Sequence, residues 1–138
     1  MAKNKVYIDT SALVAYLRPA DSCHKKAVKV WERLRKDQPN LILTNYILAE
    51  FFTVIRQRIG IKAAVKAGEI IKRSSYFKII WADQVLDEEA WKIFKKNTQK
   101  NISFVDCVSI AVIEKLKINA VFGFDKHLVK AGVKLIEN

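Results

Sequence analysis

Lys5-Val6-Tyr7-Ile8-Asp9-Thr10-Ser11-Ala12-Leu13-Val14-Ala15-Tyr16-Leu17 is the stretch on which the fold turns. Val6 to Ile8 is a short apolar run that stops at an acid, which reads as a buried strand. Thr10 and Ser11 are placed to cap a helix over Ala12 to Leu17, and Pro19 marks where that helix stops. Lys3 and Lys5 precede the apolar run, but Asp9 interrupts it too early for the core of a signal peptide.

Outward from there the alternation repeats. Asp21 or Ser22 opens a second helix with Ala27, Val30, Trp31 and Leu34 on its apolar face. Pro39 and Asn40 end it, and Leu41 to Leu43 reads as a strand. Thr44 or Asn45 caps a helix running to about Arg58, with Gly60 as its stop, and another helix fills Lys62 to Arg73. Phe77 to Trp81 is β-rich. Asp83 to Lys96 is helical, with Val85, Leu86, Ala90, Trp91, Ile93 and Phe94 available for packing. Ser103 opens a strongly apolar helix reaching Lys117. Ala120 to Phe124 reads as a strand, Lys126 to Ala131 as a short helix and Val133 to Ile136 as a last short strand. Strands recurring between helices predict an α/β fold with a parallel sheet covered on both faces. No repeat, low-complexity tract or linker divides residues 1–138, so one domain is expected.

Composition narrows the class. With 51% hydrophobic residues and only four Gly and two Pro in 138 positions, the chain is ordered and globular. Two cysteines, Cys23 and Cys107, make no disulfide framework, which points to a reducing compartment. No stretch approaches the ~20 apolar residues of a membrane span, so a soluble cytoplasmic protein is expected. The formal charge of +11 favours a polyanionic partner such as RNA or DNA over mere solubility, without choosing between the two.

Most of the 14 acidic residues lie in polar stretches, but four do not. Asp9 closes the first strand, and in open α/β sheets ligands bind outside the carboxyl ends of strands. Glu50 sits in Tyr46-Ile47-Leu48-Ala49-Glu50-Phe51-Phe52-Thr53-Val54-Ile55, and Asp106 in Phe104-Val105-Asp106-Cys107-Val108-Ser109-Ile110-Ala111-Val112-Ile113. Asp125 follows the strand containing Gly123, a residue that permits close backbone approach. Each has a plain alternative. Asp9 and Asp125 suit helix N-caps, Glu50 the rim of a buried face, and Ser103-x-x-Asp106 matches a capping box. Taken together they strain that account, because an ionised carboxylate in apolar surroundings costs several kcal/mol unless it is paired. If the four converge, a hard cation such as Mg²⁺ or Mn²⁺ is the natural counter-charge.

With those residues in hand the chain resembles a PIN-domain nuclease, most of all the VapC-like toxins of prokaryotic toxin–antitoxin pairs. Tyr7-Ile8-Asp9-Thr10-Ser11-Ala12-Leu13 resembles the first acidic motif, Asn45-Tyr46-Ile47-Leu48-Ala49-Glu50 the second, Ser103-Phe104-Val105-Asp106-Cys107 the third and Phe122-Gly123-Phe124-Asp125-Lys126-His127 the fourth. The four run in order across nearly the whole chain. The resemblance implies a three-layer α/β/α fold with a central, mainly parallel sheet, a homodimer, a cognate antitoxin protein and cleavage of RNA with Mg²⁺ or Mn²⁺. It implies that Asp9 and Asp106 hold the metal most directly, with Glu50 and Asp125 completing its shell or helping a second ion. Relatives often carry Thr or Ser where Gly123 stands, so Ser11 and Ser103 are the hydroxyls left to support the site. Lys25, Lys29, Arg33, Arg56, Arg58, Lys62 and Lys72 are candidates for phosphate contacts.

Two rivals come from other classes. A receiver-type phosphoacceptor domain is also doubly wound, but it gathers two adjacent acids after its first strand where this chain has only Asp9. A basic nucleic-acid-binding module without catalysis would use the same acids only as caps. Cys23-His24 is too short a cluster for zinc, and His127 reads as a helix-start residue.

Overall fold

The structure is a computed structural model, and it describes residues 4–136. Among them the elements run β1 (Lys5–Ile8), α1 (Thr10–Leu17), α2 (His24–Asp37), β2 (Asn40–Thr44), α3 (Asn45–Arg58), α4 (Ile61–Arg73), β3 (Phe77–Ile80), α5 (Gln84–Lys96), α6 (Phe104–Lys115), β4 (Val121–Phe122) and α7 (Lys126–Lys130). The strands form one sheet in the order β3-β2-β1-β4, and every pairing is parallel. β1 is therefore interior, and the chain first winds outward through β2 and β3, then returns to add β4 on the other side. The order reverses between β1 and β4, which opens a crevice at their carboxyl ends.

Register and alternation decide which helices cover which face. Tyr7 pairs with Ile42, while the neighbouring Leu41 pairs with Phe77, so Tyr7 and Phe77 point to opposite faces. On one face the buried Tyr7 hydroxyl meets Ser109 Oγ of α6 at 2.7 Å. On the other, Phe77 stacks on Trp31 of α2 with ring centroids 5.8 Å apart. Both faces are thus covered, as a parallel sheet requires. Tyr7, Ile8, Leu43 and Phe51 are fully buried at the centre.

Several boundaries differ from the sequence reading, each for a local reason. Helix α1 begins at Thr10 because the Asp9 side chain, not Thr10 or Ser11, caps it by accepting from the Ser11 amide. Asp21 does not open α2 either. Its Oδ1 accepts from the Cys23 amide at 2.8 Å in an Asx turn, and the helix starts at His24 without a side-chain cap. The strand expected over 120–124 shortens to Val121–Phe122, and the one expected over 133–136 is only a parallel bridge between Val121 and Leu135. In α5, Leu86 and Ala90 are buried, but Val85, Trp91 and Phe94 remain exposed, so only part of the expected packing face is used.

Candidate active site

Two of the four singled-out acids are helix N-caps, and a third stands in the first turn of its helix. Asp9 caps α1, Asp125 caps α7 by accepting from His127 N at 2.8 Å, and Asp106 forms the expected capping box of α6 with Ser103. In that box Ser103 N donates to Asp106 Oδ2 and Asp106 N to Ser103 Oγ, both at 3.0 Å. A cap occupies one carboxylate oxygen. Asp9 Oδ1, Asp106 Oδ1 and Asp125 Oδ2 make no hydrogen bond among the described residues.

All four acids line one cleft of ≈ 430 Å³ at the carboxyl ends of β1 and β4. Asp9 and Asp106 are buried, 4% and 7% exposed, whereas Glu50 and Asp125 are half-buried and face water. Desolvation therefore burdens the first pair and not the second. Burial, helped by the charges of Asp106 and Asp125, pushes the Asp9 carboxyl from an ordinary value near 3.8 up to about 6, against the lowering effect of the Ser11 bonds. Asp106 is raised too, chiefly by burial and further by Asp125, while the Ser103 bonds and the charge of His127 pull it down. Among the described residues no three His, Cys, Asp or Glu side chains stand close enough to make a ready-formed metal shell. The carboxylates share a cleft, and Asp9 and Asp106 feel the charge of their neighbours, but the four do not close around a point.

Hydroxyls hold the buried acids in place. Ser11 Oγ donates to Asp9 Oδ2 at 2.6 Å and accepts from Phe124 N at 2.9 Å, so it ties β1's end to the segment after β4. Gly123 is what allows that approach. A Cβ there would stand 2.9 Å from Asp9 Cβ and 3.4 Å from Ser11 Oγ. Asp9 and Ser11 thus occupy the space that a side chain at position 123 would need.

Of the seven basic candidates, Arg58 alone lines the cleft. Arg33 lines a groove with Asn4, Lys5 and Val6 at the amino end of β1, and Arg56 and Lys72 line another between α3 and α4. Lys25, Lys29 and Lys62 are exposed. A fifth carboxylate, Asp21, lines the cleft as well, together with Asn101 and His127, none of which stands out as a site residue in the sequence. Asp21 lies in a polar loop, so nothing in its neighbours marked it. The one available signal for His127 was its place two residues after Asp125. His24 takes no part, its Nδ1 lying 2.8 Å from Ala15 O.

The fold and cleft define an α/β protein with an acid-lined site at the switch point of a parallel sheet. The chain belongs to the PIN-domain family, whose model matches residues 6–134. It is 30% identical over 128 residues to the 23S rRNA-specific endonuclease VapC20 of Mycobacterium tuberculosis (strain ATCC 25618 / H37Rv), covering 92% of this chain and 94% of the relative. The crystal structure of Mycobacterium tuberculosis VapC20, described as a sarcin-ricin loop cleaving toxin, superposes with a TM-score of 0.83 at 29% identity over 94% of this chain and 96% of that one. FitAcB from Neisseria gonorrhoeae shares the fold, with a TM-score of 0.69 at 18% identity over 96% of each chain. Among the described residues no helix is long and apolar enough to cross a membrane.

Proposed function

We propose that this protein is a metal-dependent endoribonuclease that hydrolyses RNA phosphodiester bonds, and that it is the toxin of a VapBC-type pair, a homodimer restrained by a cognate antitoxin. The observation that carries the reading is the trio of acids at helix starts. Asp9, Asp106 and Asp125 each spend one oxygen on a helix terminus and leave the other unbonded in the same cleft. Caps alone do not require three helix starts to meet at one crevice.

The residues present fit a hard divalent cation. The donors are carboxylate oxygens, and Asp9 is held in a setting that disfavours its anion, so the protein by itself does not balance the charge it has gathered. Asp9 and Asp106 would hold the ion most directly, with Glu50 and Asp125 completing the set from its wetter side. Bound there, Mg²⁺ or Mn²⁺ would supply positive charge for polarising the phosphate and acidifying a water. The chain's own residues do the positioning. Ser11 locks the Asp9 carboxylate by donating a hydrogen bond to it while accepting one from Phe124 N, and Ser103 fixes Asp106 through the capping box.

The test is cleavage of 5′-labelled RNA, with 23S rRNA fragments tried first because a relative is named for that substrate. Cleavage is expected only with Mg²⁺ or Mn²⁺, and Asp106→Asn is expected to lower it by about 100-fold or more, about 2.7 kcal/mol. Undiminished cleavage by that variant would remove the proposed mechanism. Light scattering on a sizing column checks the homodimer, and co-purification with the product of an adjacent short reading frame checks the antitoxin.

A further inference from the structure

Building on the ribonuclease reading, we infer that Arg58 is the RNA anchor of the cleft, gripping a backbone phosphate beyond the one being cut. Glu50, Val54 and Arg58 all line the cleft, and their spacing of four places them on one stripe of α3. Eight helical residues rise about 12 Å. The α3 wall thus carries an anion at one end and a cation two turns further along. A phosphodiester seated among the carboxylates leaves Arg58 beside a neighbouring phosphate of the same strand.

The arginine is free to make that contact. It is exposed, and neither ion pair among the described residues, Arg73–Glu69 or Lys92–Glu89, involves it. Asp9, Asp21, Glu50, Asp106 and Asp125 share its cleft, yet none of them pairs with it. A guanidinium that stays unpaired beside five carboxylates keeps its planar fork available for a bidentate phosphate contact. It also answers a problem the acids create. They repel a polyanion, and apart from His127 no other basic side chain lines the cleft among the described residues. Arg56, two residues earlier, turns to the groove shared with Lys72 and makes a matched control.

The test is fluorescence anisotropy of a labelled single-stranded RNA oligonucleotide titrated with the full chain in EDTA, where no cleavage competes. Arg58→Ala is expected to weaken binding about tenfold and to reduce the slope of log K against log salt by about 0.7. Arg58→Lys keeps the charge but loses the fork, and should fall between the two. Arg56→Ala should cost less than Arg58→Ala. In Mg²⁺, Arg58→Ala should raise KM by a larger factor than it lowers kcat. A change in affinity under threefold, or a loss no greater than that of Arg56→Ala, overturns the assignment. If the wild type cleaves no RNA at all, the ribonuclease reading fails instead, and the binding comparison still decides the anchor.

Discussion

Asp9 is 4% exposed at the end of β1, with Oδ2 bound by Ser11 and its carboxyl pushed up to about 6. A carboxyl raised on folding holds its proton more tightly in the native state. Its stabilising contribution is complete below pH 3.8 and is lost as pH rises through about 6. A shift of this size corresponds to about 3 kcal/mol at neutral pH. In EDTA, Asp9→Asn should therefore melt close to the wild type near pH 4 and progressively above it as pH rises to 7.5, because Asn still caps the helix but carries no charge. Thermal melts across that range decide it, and a variant less stable than the wild type at pH 7.5 would contradict the electrostatic account. Gly123 makes a second demand at this scale. Gly123→Ala puts a Cβ 2.9 Å from Asp9 Cβ, so one of the two must move. A loss of about 1–3 kcal/mol is expected in urea melts, together with weaker cleavage. Gly123→Ser should behave alike, because its Cβ meets the same Asp9 Cβ.

At the scale of elements, the acids are placed by helix starts. Ser103 and Asp106 satisfy each other's backbone amides, so the box fixes both the first turn of α6 and the direction of the Asp106 carboxylate. Ser103→Ala is expected to cost about 1 kcal/mol and to lower cleavage more than that loss of stability explains. Equal activity at a temperature where both proteins are fully folded would limit Ser103 to structure. The box was legible in the sequence because it depends on residues three apart. So were the lengths of α3 and α5, each of which has a side-chain cap, at Thr44 and at Asp83. The Asp21 turn was not, because Asp suits an Asx turn and a helix cap equally well and only the path of the chain chooses. The strand at β4 was legible but shorter than expected, for a related reason. A five-residue apolar run marks burial but not pairing, and β1 offers partners only at Tyr7 and Ile8.

For the molecule as a whole, the sheet order β3-β2-β1-β4 sets the ends of β1 and β4 side by side, and with them residues more than a hundred positions apart. Divalent cation binding to that site should stabilise the native state by mass action, about 2.7 kcal/mol at a hundred times the dissociation constant. Mn²⁺ should accordingly raise the melting temperature of the wild type and leave that of Asp9→Asn or Asp106→Asn nearly unchanged. A shift of equal size in all three would place the ion elsewhere. The excess of positive charge belongs to this scale too. Only Arg58 of the candidate cations stands at the cleft, so the others contribute to a general field that attracts a polyanion over the whole surface.

The sequence by itself determined the α/β class, the capping box, the strand-end position of Asp9, and the four acids as candidates for one site. These are local properties, fixed by residue type and spacing within a turn or two of helix or a few residues of strand. Only the tertiary structure decided that Glu50 is half-exposed while Asp9 and Asp106 are buried, that Asp21 and His127 join the cleft, and that Arg58 rather than Arg33 or Arg56 faces it. Those outcomes depend on how α1, α3, α6 and α7 are brought around the end of one parallel sheet. Burial, and the charges that meet across a cleft, belong to that packing and not to any single segment.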